Sequence, residues 1–204
     1  MSNYITSIAE LRETIGDEVP GLSEKNIDYL DDFAVNFIKA CPFVVLSSSD
    51  AKGRVDSSPK GDGPGFVKVL GSKTLLIPDR PGNKLAYGHQ NILDNPQVGL
   101  LFVIPDTNET LRINGTARLR RDEDTLSAMA ARGKPAILVI EVSVEEAFFH
   151  CGKAFIRSKL WQATQWPEKH IVSFGKMYAQ RKNLGTEVVQ MIDDSIEKDY
   201  EDNL

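Results

Sequence analysis

Short runs of β-branched and aromatic residues, separated by turn residues, occupy the middle of the chain. Phe43 to Ser48 is an apolar run, Asp50 to Gly53 is a turn, and Arg54 to Ser58 is predicted to return antiparallel to the first run. Few stretches between these runs are long enough for helical crossovers, so the sequence predicts a closed antiparallel barrel and not a doubly wound parallel sheet. The further predicted strands are 66–70, 74–77, 97–104, 109–120 and 135–149.

Helices are predicted on both sides of this strand region. Ser7-Ile8-Ala9-Glu10 has the pattern of a capping box for a first helix, and Ser23 can cap a second helix that runs to Ile38. Shorter helices are predicted over 84–93 and over 122–132, the latter with Gly133 as its C-cap. The last 50 or so residues also have a helical pattern.

The chain has 204 residues and contains no repeat, low-complexity tract or linker, so a single domain is expected. Its predicted parts are a helical N-terminal part over 1–40, a barrel over 43–150 and a helical C-terminal arm over 151–204. The predicted fold class is therefore mainly β with flanking helices.

Charge and composition argue against several classes of protein. The 24 Lys and Arg residues against 29 Asp and Glu give a net charge of −5, which disfavours bulk nucleic-acid binding because that requires a basic surface. No run approaches the ~20 apolar residues of a membrane helix, and Met1 to Tyr4 do not begin a signal peptide. A cytoplasmic protein without a membrane partner is expected. Cys41 and Cys151 are expected to be reduced, and the histidines lack metal-ligand spacing.

The loop Asp79-Arg80-Pro81-Gly82-Asn83-Lys84 joins a predicted strand to a predicted helix N-terminus. Unpaired amides at a helix N-terminus carry partial positive charge and attract anions. Gly82 allows close approach of the backbone, and Arg80 and Lys84 add positive charge. A cation in the first helical turn opposes the helix dipole, so Lys84 favours a phosphate site here. A solvated turn with ordinary surface charges is the alternative.

Ser57-Ser58-Pro59-Lys60 ends a predicted strand just before a glycine-rich loop. The hydroxyls and the lysine suit hydrogen bonding to a flat polar ligand. Ser57 and Lys60 also have the S-x-x-K spacing of acyl-enzyme hydrolases. That motif needs a helix, which Pro59 and the following glycines prevent, and its partner motifs are absent. We therefore predict no catalytic nucleophile in this segment.

Two further sets of residues are candidates for binding an anion. Arg112 lies in a predicted strand, where its guanidinium can bind phosphate through two hydrogen bonds, or can simply face solvent. Lys153, Arg157 and Trp161 recur every four residues and would share one face of a helix. Such a face suits an anionic aromatic cofactor. A salt-bridged surface helix with Trp161 in the core is the alternative.

Together these segments resemble the FMN-binding split-barrel superfamily, whose best-known member is pyridoxamine 5'-phosphate oxidase. The Asn-Pro-x-Val-x-Leu-x-Phe strand at 95–102 and the following Gly-x-Ala strand at 115–117 are typical of it. The resemblance extends from about Cys41 to Trp161. It is carried by 41–48, 55–62, 75–80, 82–84, 94–102 and 111–117.

The resemblance implies a six-stranded antiparallel split β-barrel of the FMN-binding type. It also implies a homodimer with FMN at the subunit interface. The strand that includes Ser57, Ser58, Pro59 and Lys60 would follow the isoalloxazine ring. The positions that hold the phosphate and ribityl chain in such proteins correspond to Ile77, Pro78, Asp79, Arg80, Gly82, Asn83 and Lys84.

The arm that contains Lys153, Arg157 and Trp161 would, by the same resemblance, reach the FMN of the second subunit. The implied function is an FMN-dependent oxidoreductase, with hydride transfer through flavin N5 to or from a small-molecule substrate or electron donor. Lys60 is the expected cation near N1 and C2=O, and Ser57 and Ser58 are expected to hydrogen-bond N5 or O4.

The chain departs from true pyridoxamine-phosphate oxidases in three places, one of which is a predicted helix after Lys84 that is about a turn longer before Asn95-Pro96. Asp56 to Lys60 replaces their Arg-Met-Val-Leu-Leu strand, and no Arg-x-His motif follows Trp161. The sequence therefore leaves the substrate open. The alternative is a non-catalytic flavin- or haem-binding protein on the same fold, in which His150 or His170 would lie near the haem.

Overall fold

Seven antiparallel strands form one sheet in the computed structural model, which describes residues 3–203. The strands are β1 (Phe43–Ser49), β2 (Val55–Gly61), β3 (Lys68–Val69), β4 (Thr74–Asp79), β5 (Gln97–Val103), β6 (Thr110–Arg120) and β7 (Leu138–His150). Their order across the sheet is β2-β1-β5-β6-β7-β4-β3. Each predicted strand is present.

The helices lie before, between and after these strands. They are α1 (Ile8–Ile15), α2 (Asp32–Ala40), α3 (Tyr87–Asp94), α4 (Glu123–Ala128), α5 (Lys153–Ser158), α6 (Phe174–Lys182) and α7 (Thr186–Asn203). Short 3₁₀ turns span Leu22–Lys25 and Ala163–Gln165.

The sheet curls so that strands far apart in its order come together. β2 and β4 are the first and sixth strands, yet Lys60 on β2 and Asp79 at the end of β4 form an ion pair of 2.5 Å. No backbone pairing joins these two strands within residues 3–203, so an open seam splits the barrel. The predicted split-barrel class is confirmed with two corrections. The sheet is not closed, and the two-residue β3 makes the strand count seven instead of six.

The interior of the barrel is apolar because alternate side chains of its strands point inward. Val44 and Leu46 of β1 and Phe102 of β5 are almost completely buried. Ile38 of α2 is fully buried in the same cluster. Burial of a side chain of this size contributes roughly 1.5–3 kcal/mol, so this core holds the curled sheet that positions β2 against β4.

The second predicted helix begins later than its pattern indicates. Asp31, not Ser23, is the N-cap of α2, and its carboxylate accepts a hydrogen bond from the Ala34 amide at 2.8 Å. Upstream, the backbone of Ile27 exchanges two hydrogen bonds with Ala147 of β7. The helical pattern of 27–38 is therefore interrupted because β7 pairs with its first residue. The predicted cap of α1 by Ser7 is confirmed.

The helix predicted over 122–132 is capped by Asp122 as expected but ends at Ala128. Ala131 and Lys134 then exchange backbone hydrogen bonds across a two-residue turn. The central residues, Arg132 and Gly133, have φ of 51° and 75°. Gly133 is therefore a turn residue and not the C-cap of a helix.

The C-terminal arm is helical in α5, α6 and α7, as predicted, with an irregular stretch between α5 and α6. Asp193 of α7 accepts hydrogen bonds from the Ser173 hydroxyl at 2.6 Å and the Gly175 amide at 2.8 Å, which joins α7 to the start of α6. Among residues 3–203, no helix has the length and apolar character needed to cross a membrane.

Candidate functional site

A cavity of about 530 Å³ lies beside the open seam of the barrel. Its volume falls within the range of roughly 300–1,000 Å³ that is usual for small-molecule and cofactor sites. It is formed by β2, by the segment that follows β4 and by the first turn of α3. The lining residues are Leu46, Asp56, Ser57, Ser58, Pro59, Lys60, Asp79, Arg80, Gly82, Asn83, Lys84, Leu85, Ala86, Tyr87, Gly88, His89, Ile137 and Leu138.

β2 supplies one wall of the cavity because it is an edge strand. It pairs with β1 on one side only, so half of its backbone polar groups face away from the sheet and can bind a ligand. Pro59 is compatible with this position because a proline is tolerated on an edge strand. Ser57, Ser58, Pro59 and Lys60 all line the cavity.

The segment between β4 and α3 supplies the opposite wall. Lys84 and Ala86 have φ of 61° and 54°, and this left-handed backbone delays the helix to Tyr87. Lys84 therefore precedes α3 and does not lie in its first turn as predicted. No side chain caps the N-terminus of α3, so its first amides remain available to an anion.

Asp79 is the centre of a half-buried charged cluster in the cavity wall. Its Oδ1 lies 2.5 Å from Lys60 Nζ and 3.5 Å from His89 Nε2, and all three side chains are 15% exposed. Burial raises the pKa of the Asp79 carboxyl, but His89 and Lys60 outweigh that effect and hold the pKa below its ordinary value. The charge of Lys60 is thus largely compensated within the protein.

Two basic residues that line this cavity have donors without a partner among residues 3–203. Arg80 Nε donates to Asp62 Oδ2 at 2.9 Å, but the Nη1 atom of Arg80 is buried without a hydrogen-bond partner. His89 Nε2 is also buried, and its contact with Asp79 Oδ1, at 3.5 Å, is at the limit of hydrogen-bond distance. Lys84 is exposed and forms no ion pair within residues 3–203. Buried polar groups are normally satisfied, so Arg80 Nη1, which has no partner among the described residues, indicates a missing acceptor.

The structure brings nine of the fifteen predicted binding residues to this cavity. Ile77 and Pro78 belong to the buried part of β4 and do not line it. The remaining four, Arg112, Lys153, Arg157 and Trp161, also lie elsewhere in the chain. The nine that line the cavity are Ser57, Ser58, Pro59, Lys60, Asp79, Arg80, Gly82, Asn83 and Lys84.

The four distant residues have other surroundings. Arg112 lies with its guanidinium 6.0 Å from the centre of the Phe148 ring. Trp161 lies beyond the end of α5 and donates from Nε1 to the Thr107 carbonyl at 2.9 Å, so it does not share a helix face with Lys153 and Arg157. Lys153 and Arg157 are exposed.

Sequence reasoning missed a second part of the cavity. His89 was not among the predicted site residues, yet it contributes to the charged cluster around Asp79. Leu85, Tyr87 and Ile137 are apolar residues of the lining that are each at least half exposed. The presence of Leu85, Tyr87 and His89 directly after the basic loop is the signal that could have identified them. No group of three or more possible metal ligands occurs within residues 3–203.

Comparison with known proteins agrees with this architecture. A family model described as pyridoxamine 5'-phosphate oxidase matches residues 30–151. None of the curated proteins compared with the chain matches it.

Similar solved structures include HupZ from Group A Streptococcus, a candidate pyridoxamine 5'-phosphate oxidase from Lactobacillus delbrueckii and an FMN-binding protein from Syntrophomonas wolfei. HupZ is 20% identical, with a TM-score of 0.48 over 59% of this chain and 93% of its own. The Lactobacillus protein is 24% identical, with a TM-score of 0.49 over 60% and 95%. The Syntrophomonas protein is 10% identical, with a TM-score of 0.44 over 56% and 80%.

The family model covers more than half of the 204 residues and includes every strand of the sheet. The chain therefore belongs to the pyridoxamine 5'-phosphate oxidase-like family of FMN-binding split barrels.

Proposed function

We propose that the cavity beside β2 binds FMN and that the chain is an FMN-dependent oxidoreductase for a small molecule. The observation that carries this proposal is the convergence of unpaired donors in one cavity. Arg80 Nη1, the Lys84 ammonium and the uncapped N-terminus of α3 all belong to its lining segments. This donor set suits the phosphate of FMN, since phosphate accepts hydrogen bonds from guanidinium, ammonium and helix N-terminal amides.

The rest of the cavity suits the ring and the ribityl chain. The free edge of β2 offers unpaired backbone groups in the Ser57-Ser58 segment, and these can hydrogen-bond the polar edge of a flavin ring. Leu85 and Tyr87 supply apolar surface for the flat faces of the ring. Asn83 and Gly82 belong to the wall opposite β2, where they offer the polar ribityl chain a donor, an acceptor and space.

When bound, FMN supplies hydride transfer at N5, and the protein supplies position and electrostatics. Lys60 places a positive charge in the wall that β2 forms, but its pairing with Asp79 reduces the net charge that the ring would meet. His89 of α3 contributes a buried ring nitrogen from the opposite wall, 3.5 Å from Asp79 Oδ1. The chain therefore orients a ligand through β2 and α3 without a nucleophile of its own.

We also propose that the chain forms a homodimer that completes this site. Leu85, Tyr87 and Ile137 expose apolar surface at the cavity, and a second copy would cover it. Lys153 and Arg157 are exposed on α5, away from the cavity of their own chain. In the proposed dimer they and Trp161 approach the cavity of the partner copy, and Arg112 would also have to act across that interface.

The absorption spectrum of the purified protein tests the proposed cofactor. The bands of an oxidised flavin, with FMN identified by mass spectrometry after denaturation, would support the proposal. A Soret band would instead support the haem alternative, although neither His150 nor His170 lines the cavity. A colourless protein that fails to bind added FMN would contradict the proposal.

A second measurement separates an oxidoreductase from a flavin-binding protein without turnover. The flavin should be bleached by a suitable reduced donor under anaerobic conditions and regain its colour with an acceptor. Bound FMN that no donor or acceptor changes at a rate above that of free FMN would exclude the catalytic part of the proposal. Sedimentation of the FMN-bound protein as a monomer would exclude the dimeric part.

A further inference from the structure

A second cavity, of about 140 Å³, shares Arg80 with the flavin cavity. Its other walls come from the end of β2, from the turn at 131–134 and from Asn203 at the end of α7. Arg80, Arg132 and Lys134 line it with three positive charges, and Asp62 is the one carboxylate among its described lining residues.

Asp62 compensates only part of this positive charge. It accepts a hydrogen bond from Arg80 Nε at 2.9 Å, whereas Arg132 Nη2 stays 3.8 Å from its Oδ1, beyond hydrogen-bond distance. Among residues 3–203, Lys134 Nζ donates to the backbone carbonyl of Asp202 at 3.3 Å, which is an uncharged acceptor. The described lining residues therefore carry two more positive than negative charges, and one of these cations is Arg80, whose Nη1 is buried without a hydrogen-bond partner in the described part of the chain.

The backbone conformation at Arg132 is energetically unfavourable for an arginine. Arg132 and Gly133 are the central residues of the two-residue turn and both have positive φ, an arrangement that favours Asn-Gly or Gly-Gly. Strained backbone of this kind persists where the surroundings require it and is common at binding sites. Here the strained turn places the cationic side chain of Arg132 at the cavity, although asparagine would suit the backbone of the turn better.

We propose that this second cavity binds a phosphate-sized oxyanion through Arg132 and Lys134, with Arg80 shared between the two cavities. Its volume of about 140 Å³ leaves room for an anion of this size. The site does not depend on the flavin proposal, because its ligands other than Arg80 lie outside the flavin cavity.

Thermal denaturation of the full chain in inorganic phosphate, with chloride used to hold the ionic strength constant, tests this site. The protein is used both as purified and saturated with FMN, which fills the first cavity. A ligand that binds the folded state raises the melting temperature by mass action. We expect this rise in the wild type, and phosphate affinity lowered by roughly tenfold or more in Arg132→Asn and Lys134→Ala.

Arg121→Asn is the matched control for a lost surface arginine, because Arg121 is exposed and does not line either cavity. It should keep the phosphate-dependent rise, and so should Lys84→Ala in the FMN-saturated protein. Arg132→Asn should also melt higher than the wild type without phosphate, since asparagine suits the turn. A purely structural role for Arg132 predicts the opposite change in stability.

Glycerol phosphate, used in a parallel titration, distinguishes the sources of the anion. Binding of inorganic phosphate alone identifies a free-ion site, and binding of both ligands identifies a site that also accepts phosphate esters. Either result supports the proposal if Lys134→Ala abolishes the binding. Phosphate stabilisation that survives in both variants, or that is absent from the wild type, overturns it. Because FMN affinity is measured separately, loss of FMN binding alone would refute only the flavin proposal.

Discussion

Replacement of Lys84 by alanine should weaken the binding of FMN and leave the binding of riboflavin unchanged. The two ligands differ only in the phosphate group, so the ratio of their affinities isolates the contacts to phosphate. Lys84 lines the cavity, is exposed and has no ion pair within residues 3–203 that its removal would break. The change therefore removes a ligand contact without leaving a buried charge behind.

The size of the effect follows from that environment. A hydrogen bond to a charged group contributes about 1.5–3 kcal/mol, and solvent exposure places Lys84 near the lower end of this range. A loss of about 1.5 kcal/mol corresponds to roughly tenfold weaker binding of FMN. Arg80→Ala is a less clean change because it also removes the partner of Asp62, whose side chain is only 11% exposed.

Titration of each ligand by the quenching of flavin fluorescence measures these affinities. Lys52→Ala is the matched control, because Lys52 is an exposed lysine in the turn between β1 and β2 and does not line the cavity. Lys84→Ala should lower the FMN-to-riboflavin affinity ratio by about tenfold, and added salt should reduce this difference through screening. An unchanged ratio would show that the phosphate does not contact Lys84.

Three further changes test the fold. Gly115→Ala should destabilise the protein by about 3 kcal/mol or more, because the new Cβ would lie 2.0 Å from a carbonyl oxygen of β7; thermal melting measures this. Ile38→Ala, which empties a fully buried site, should lower the free energy of unfolding by about 2–5 kcal/mol in a urea titration. Hydrogen bonds from Thr125 and Arg120 lower the pKa of Asp122 to about 2. Its stabilising contribution is therefore present above about pH 4 and is lost as the pH falls towards 2. Asp122→Asn keeps the helix cap and should flatten this acid dependence of the urea midpoint.

The strands were predictable because each has a local signal. Alternation along 43–49 and 97–103 sets which side chains face the core, and the turn residues between strands set where pairing reverses. The start of α2 was not predictable in the same way. The apolar spacing from Ile27 fits a helix, but the backbone of Ile27 pairs with Ala147, which lies 120 residues away in sequence.

The candidate site was predictable in part, because its basic loop and its polar strand each have a recognisable composition. The contact between Lys60 and Asp79 was not, since it depends on the curl that brings the first and sixth strands together. The start of α3 was misplaced because Lys84 and Ala86 adopt left-handed backbone, which neither residue type indicates. His89 lies in the first turn of the helix that begins at Tyr87, and its place in the charged cluster around Asp79 was missed for the same reason.

Arg80 lines both cavities, so the binding of an anion in one cavity should affect the binding of an anion in the other. Anions in the two cavities would be attracted by the same positive charge of Arg80. Binding of one anion should therefore lower the affinity for the other. Such antagonism is reciprocal, because the factor by which the first anion lowers the affinity of the second must equal the converse factor. If both proposed sites are occupied, an abundant inorganic anion would thereby lower the affinity of the chain for FMN.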